Sequence, residues 1–537
     1  MRQNESRHTE TDVLVIGAGG AGLRAAIEAR RAGARVLLVS KTPLGEGNCS
    51  AYAMGFFAAA VGGKSVDEHY SDTLEAGRGL NDERLVRVLV EEAPQRIAEL
   101  SEFGVKWDET RGGANFSRYG PPGRMGIGLT HPLRACAARI GVESQESIQV
   151  VDLIKSGSEV AGAVGFNFRS GQWHTYRAGA VVLATGGVGR IYRRTDNPVR
   201  TTGDGCALAL RAGATLQDME FIQFYPFGLA HPGLPVFMLL MHIADYAPLV
   251  NREGREFLRD YYQRWGVKSA AEANVRARDL AAQAIAREIL EGRGVDGAVL
   301  LRVSEVPETQ WTKPYLGFLR SRLLRSHPLA EPVRIAPIMH YTVGGIRIDP
   351  STATDVPGLF AAGECASGWD GANRLGGNSL SAIIVFGARA GTSAARYAAQ
   401  SDRRALPSDV LDEARRAVER WAGANGPSPQ ALTAVLQRLS EQHLWVLRSG
   451  EGLEEFLAEL CGLEDEARNA RAVSPAEIRD AFELKNLLVC ARAVAQSALL
   501  RRESRGGHYR LDYPGEGGRE WLRHTAITGK DGVATLV

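Results

Sequence analysis

The sequence predicts an α/β fold, built on a Rossmann-like dinucleotide-binding domain that is interrupted by an insertion and followed by a helical domain. Three observations carry this. The stretch TDVLVIGAGGAGLRAAIEARRAGARVLLVSK, residues 11–41, reads as an apolar strand, a glycine turn, an alanine-rich helix and a second apolar strand. Two more strand-to-glycine junctions follow, AVVLATGGVGRIY at 180–192 and GLFAAGEC at 358–365. Beyond about residue 405 the apolar residues recur at three-to-four spacing, the period of helices.

Within the first unit Gly17, Gly19 and Gly22 supply GxGxxG. The first lets the chain turn, the second admits a pyrophosphate close to backbone N–H groups, and the third lets helix pack on strand. The helix N-terminus then faces the anion. The second strand ends in Ser40 and Lys41 instead of the acid that takes a ribose hydroxyl in NAD sites, which argues against a plain NAD enzyme.

The spacing of the three junctions implies one nucleotide-binding domain in two parts, 1–228 and 338–402. Residues 229–337 form an inserted lid with a helix expected over 270–291, and 403–537 a helical domain with a tail. Helices are expected in VLDEARRAVERWAG, PQALTAVLQRLSEQHLWVL and PAEIRDAFELKNLLVCARAVAQSALLRRES.

At 537 residues, 44% hydrophobic and 23% charged, the chain has the composition of a large multidomain enzyme. Sixty-four basic against 62 acidic residues leave no charge excess to favour nucleic acid or an anionic membrane. The opening MRQNESRHTETD is polar and no run of ~18 apolar residues follows, so direct membrane insertion is not expected and a cytoplasmic location is. Six scattered cysteines without CxxC give no metal site.

In order and spacing, GAGGAG followed by SK, then ATGGVGRIY, TGDG, DMEF with Gln223, HYTVGGI, GLFAAGECASG, GANRLGGNSL and ESRGGHYRLDYP resemble the succinate dehydrogenase, fumarate reductase and L-aspartate oxidase flavoprotein family. The resemblance implies a Rossmann-like FAD-binding domain with an inserted α+β capping domain and a C-terminal helical domain. It implies bound FAD, with the pyrophosphate on Gly17, Gly19, Gly20 and Gly22 and the adenosine side near Ser40, Lys41, Ala184, Thr185 and Gly186. Asp204, Glu364, Ser379 and Leu380 are implied to line the rest of the cofactor.

Members that attach FAD covalently do so through a histidine shortly after SK. Here that segment is EGNCSAYA, in which Asn48, Cys49 and Ser50 are expected to face the flavin, so noncovalent FAD is expected. Cys49 is a small neighbour of the ring, a thioether being the less favoured alternative.

The resemblance further implies a substrate site of Arg278, His340 and Arg374, in which a guanidinium fork and a histidine grip a carboxylate. Arg278 matches the family's proton-transfer arginine, whose relay includes a Glu and an Arg in the cap. Counting back from Asn251, leucines 239 and 240 and Ile243 occupy the relay segment, leaving His242 or Asp245 as substitutes. The family's second-carboxylate histidine falls on Tyr225, with Phe227 beside it.

Burying an unpaired carboxylate costs several kcal/mol. A pocket walled by Tyr225, Phe227, Leu239 and Leu240 should therefore take a monocarboxylate with an apolar or aromatic far end, held by Arg374 and His340. The expected activity is an FAD-dependent oxidoreductase moving hydride between flavin and a carbon next to a carboxylate. The alternatives are an L-aspartate oxidase and the electron-transfer flavoprotein of a complex with a separate iron–sulfur protein.

Overall fold

The computed structural model describes residues 6–401, 406–407, 409–529 and 532–537. The expected boundary at 402/403 and Ala405 lie outside the described residues. The βαβ unit forms as its sequence requires: strand Arg7–Ile16, helix Gly20–Arg31 and strand Val36–Val39, the two strands parallel with Val13 beside Val36 and Ile16 beside Val39. Strand Trp173–Leu183 pairs parallel on the other side, placing Leu183 beside Ile16, and Leu359–Ala361 pairs parallel with it in turn. All three glycine junctions thus leave one seven-stranded sheet at the same end, where ligands bind in open parallel sheets.

Glycine is obligatory at two positions of this turn. Gly17 has φ of +108°, and a Cβ there would meet the Ala184 carbonyl oxygen at 2.3 Å. A Cβ on Gly22 would stand 1.8 Å from the Gly17 carbonyl oxygen, so helix and strand pack only because it is absent.

A second, antiparallel sheet of five strands runs in the order Phe237–Met238, Ile222–Leu229, Val333–Thr342, Val299–Leu301 and Leu249–Val250. Its apolar faces and the helices between residues 259 and 318 form a core of their own, which includes Tyr225, Phe227, Leu239 and Ile338. The helix expected over 270–291 is two helices, Ala270–Arg276 and Arg278–Leu290, broken at Ala277 (φ −137°, ψ 31°). No glycine or proline marks the break, so periodicity alone runs through it. Its effect is to set Arg278 at the head of the second helix.

The C-terminal helices are Asp409–Gly423, Pro429–His443, Gly450–Arg468 and Pro475–Leu500. The third was not anticipated. The tail is not helical: Thr525–Ile527 pairs with Leu216–Gln217 and so enters a small sheet beside the first domain.

The acids of DMEF hold this tail down. Glu220, fully buried, pairs with Arg501 and accepts from the Thr525 hydroxyl at 2.7 Å, and Asp218 lies 2.7 Å from Nδ1 of His524. His508, in ESRGGHYRLDYP, is wedged between the Arg448 guanidinium and the Arg501 carbonyl. Arg505 donates to the Arg78 carbonyl. The buried acids Asp218 and Glu220 are paired with His524 and Arg501, as burial of charge requires.

Candidate functional site

A cavity of about 620 Å³ opens at the glycine end of the seven-stranded sheet. Fifteen of the sixteen expected cofactor residues line it: Gly17, Gly19, Gly20, Ser40, Lys41, Asn48, Cys49, Ser50, Ala184, Thr185, Gly186, Asp204, Glu364, Ser379 and Leu380. Gly22 does not, because its place is the helix–strand contact described above.

The cradle is built locally. Gly19 caps the first helix without a side chain, and the Gly20 N–H is held by the Ser50 hydroxyl at 3.1 Å. Asn48 caps the short helix Cys49–Tyr52 by accepting from the Ala51 N–H at 3.0 Å.

Lys41 does not reach for a free anion. Its Nζ sits 2.9 Å from both Asp204 and Glu483 and 2.6 Å from the Thr202 hydroxyl. Burial opposes the charge, but the two carboxylates outweigh it and raise the lysine pKa, while Lys41 in turn holds Asp204 below the usual carboxylate range against its own burial. Asp204 also accepts from Gln149 and Asn486, so its oxygens are engaged inside the protein even as it lines the cavity.

Burial pushes Glu364 up to about 7, where its Oε1 accepts the Thr342 N–H at 3.0 Å. Burial also drives the Cys49 thiol well above its ordinary range, so it remains a neutral thiol near the Thr201 hydroxyl. A Cβ-free turn, a helix N-terminus with no acid in its first turn, and polar side chains from three strand ends fit a dinucleotide such as FAD. The family's attachment histidine is absent from this wall.

Of the expected substrate residues, Arg374 and His340 line the same cavity. Arg374 is nearly buried: it donates to Gln223 Oε1 at 2.8 Å and the Ser379 hydroxyl at 3.3 Å, and lies 4.4 Å from the Tyr341 ring centre. Its Nε is buried and donates to no protein atom among the described residues. His340 projects from Val333–Thr342 and presents Nδ1 to Asp196 Oδ2 at 2.7 Å.

Tyr225 and Arg278 are not in the lining. They stack on each other at 5.2 Å, and the Tyr225 ring is 5.7 Å from the His340 ring. Burial lowers the Arg278 pKa to about 10, and Nε donates to the Asn274 carbonyl at 3.1 Å. Among the described residues no carboxylate forms an ion pair with it.

The expected wall is therefore corrected. Phe227 and Leu239 are packed in the capping core, and Leu240 is outside the lining, its N–H donating to the Tyr315 hydroxyl. Asp245 is outside the lining and accepts the N–H groups of Ala270 and Ala271 at the start of that helix. His242 lies beside Tyr315, 6.2 Å between ring centres, and is also absent from the lining. The cap-side wall is Pro235, Val236, Phe237, Met238, Phe318 and Leu323, and the acid Asp196 joins the lining as well. None of these was found by reading the sequence. Asp196 lies in RRTDNP, where an acid before Asn-Pro reads as an ordinary turn.

The chain matches the family described as FAD binding domain over residues 12–380 and the one described as fumarate reductase flavoprotein C-term over 433–536. A fumarate reductase (CoM/CoB) subunit from Methanothermobacter marburgensis is 36% identical, covering 98% of each chain. L-aspartate oxidase of Streptomyces coelicolor is 34% identical over 96% of this chain and 91% of that one. A solved Escherichia coli quinol fumarate reductase superposes with a TM-score of 0.89 at 30% identity, covering 99% of this chain and 96% of that one.

Proposed function

Since the chain belongs to the fumarate reductase and succinate dehydrogenase flavoprotein family and is an FAD-dependent oxidoreductase, we propose that its substrate carries one carboxylate and an apolar or aromatic far end. One observation carries this reading: the Tyr225 hydroxyl, where the resemblance places a second carboxylate ligand, is used up inside the protein. It accepts from the Met241 N–H at 3.1 Å and donates to Asn274 Oδ1 at 2.7 Å. The cap-side lining is then apolar, from Pro235 to Met238 with Phe318 and Leu323. A second carboxylate set against these side chains would lose its hydration without gaining a partner from them, at several kcal/mol, and the cation beside them on the lining, Arg124, is paired with Glu46 at 3.0 Å.

Arg374 and His340 grip the carboxylate. A buried guanidinium with a spare N–H gives a charge-assisted hydrogen bond, and Gln223 and Tyr341 hold the fork in place. Arg278, stacked on Tyr225 and cationic at neutral pH, adds positive potential near Arg374. The bound flavin would supply two-electron hydride chemistry to the carbon–carbon bond next to that carboxylate. FAD is held without a covalent bond, Cys49 standing as a neutral thiol at the flavin wall.

Relatives named as subunits support a separate electron-transfer partner, such as an iron–sulfur protein, for this chain as well. Copurification from the native source tests that.

The substrate reading is tested with Arg374→Ala. The variant should keep FAD and its spectrum but lose at least ~10²-fold in the affinity with which 3-phenylpropanoate perturbs the flavin band, the scale of a lost charge-assisted contact. Loss of FAD instead would make Arg374 a residue of the fold or cofactor.

A further inference from the structure

We propose that Glu483 is a positioning residue of the cofactor site: from the C-terminal helix it sets two cations, Lys41 and Arg200, on the cavity wall, so that FAD binding and the seating of that helix depend on each other. This stands apart from the substrate reading and concerns the cofactor alone.

Helix Pro475–Leu500 carries Asp480, Glu483, Asn486 and Cys490 at three-to-four spacing, which sets them along one face. That face lies on the TGDG turn. The Cys490 thiol donates to the Gly203 carbonyl at 3.4 Å, and a Cβ on Gly203, where φ is +71°, would stand 2.4 Å from Cys490 Sγ. Asn486 Nδ2 donates to Asp204 Oδ1 at 3.0 Å. The helix therefore reaches the cofactor cradle from behind, through a turn whose Asp204 lines the cavity.

Glu483 is the hub of this contact. Only 4% exposed, it places Oε1 2.9 Å from Nζ of Lys41, 442 residues away, and Oε2 2.6 Å from Nη1 of Arg200. Lys41 and Arg200 line the cavity, whereas Glu483 does not. One carboxylate thus holds two like charges on the wall, one on each oxygen. Its own charge is satisfied inside the protein, and it fixes where the remaining N–H groups of both cations point.

The neighbouring acids do not duplicate it. Asp204 holds Lys41 at 2.9 Å and forms no ion pair with Arg200 among the described residues. Asp480 holds Arg200 at 2.9 Å and Arg479 at 2.6 Å, and among the described residues forms none with Lys41. Burial opposes the charge on Lys41, and it takes Asp204 and Glu483 together to raise its pKa. The field of Glu483 also reaches the buried Arg190.

Without this carboxylate, Lys41 and Arg200 share no partner, and Arg200 can turn wholly to Asp480. The wall that FAD meets then changes in shape and charge together. Because FAD binds the folded protein only, whatever loosens this contact weakens FAD binding, and loss of FAD in turn loosens the helix.

The test uses holoenzyme of wild type, Glu483→Gln, Glu483→Asp and Asp480→Asn, diluted in series, with released FAD read by its fluorescence. Glu483→Gln should raise the FAD dissociation constant at least ~10-fold, the scale on which a bound group loses affinity when the partner orienting its binding residue is removed. Glu483→Asp keeps the charge but is one carbon too short to reach both cations, and should fall between Glu483→Gln and wild type. Asp480→Asn leaves both Glu483 contacts in place and should release no more FAD than wild type.

A merely structural acid would lower the melting temperature and leave the dissociation constant alone. Unchanged or tighter FAD binding in Glu483→Gln therefore overturns the proposal, whatever its melting temperature. So does an equal loss in Asp480→Asn, which would reflect a general loosening of the helix. If Glu483→Gln does not fold, Glu483→Asp carries the same decision. If acid-precipitated wild type keeps its flavin, the noncovalent reading above fails, and FAD per chain in freshly purified protein decides instead: a lower content in Glu483→Gln supports the proposal and an equal content overturns it.

Discussion

The hydroxyl of Tyr225 donates to Oδ1 of Asn274 across 2.7 Å, joining the buried strand Ile222–Leu229 to the helix that precedes Arg278. Since the same oxygen accepts the Met241 N–H, its removal leaves a donor and an acceptor without their partner. Tyr225→Phe should therefore cost about 1–3 kcal/mol of stability. Thermal unfolding should show the loss, with flavin content and carboxylate affinity close to wild type. A tenfold loss of affinity would mean that the hydroxyl touches the ligand.

Asp245 serves the helix beginning at Ala270, where it accepts two backbone N–H groups at 2.7 and 3.1 Å. Asp245→Ala should cost about 0.5–2 kcal/mol, the range for a lost N-terminal cap. Turnover should be unchanged at temperatures where the variant is folded. A large fall in rate without a fall in stability would restore Asp245 to the proton relay.

Asp370 lies close to Arg374 and accepts the Tyr341 hydroxyl at 3.1 Å. Burial raises its pKa to about 7, against the opposing pull of Arg374 and the Tyr341 hydrogen bond. The folded protein keeps this proton to about pH 7, whereas the unfolded chain releases it near the ordinary value of about 3.9. Its contribution to stability is therefore full below about pH 4 and lost as pH rises through about 7. Asp370→Asn retains an acceptor for Tyr341 and cannot titrate. Melting curves from about pH 5 to about pH 8 should diverge in favour of the variant as pH rises, and parallel curves would contradict the shift.

What the sequence revealed follows the range of the interactions. The glycine cradle was legible because Gly17, Gly19 and Gly22 act on neighbours in the same turn, and the apolar strands beside them carry an unbroken pattern. Arg374 and His340 were legible only through the motifs around them.

The wall was misread at Tyr225 and Phe227, and the strand shows why. Its pairing with Val333–Thr342 shifts register between Gln223 and Phe224 and again between Tyr225 and Gly228. Such irregularities re-aim side chains, so counting residues gives neither their face nor their depth. Asp196 was invisible for a different reason: its meaning lies in one contact with a residue 144 positions away. The apolar wall likewise joins Phe237 to Phe318 across the whole insertion, and no local spacing announces that encounter.

The most direct measurement is a parallel anaerobic titration of the holoenzyme, following the flavin band with 3-phenylpropanoate and cinnamate on one side and succinate, fumarate and L-aspartate on the other. The monocarboxylates should bind at least tenfold more tightly and exchange electrons with the flavin, while the dicarboxylates do neither efficiently. Tight binding of succinate, fumarate or L-aspartate, with turnover in the ordinary enzymatic range of about 1–10³ per second, would contradict the account.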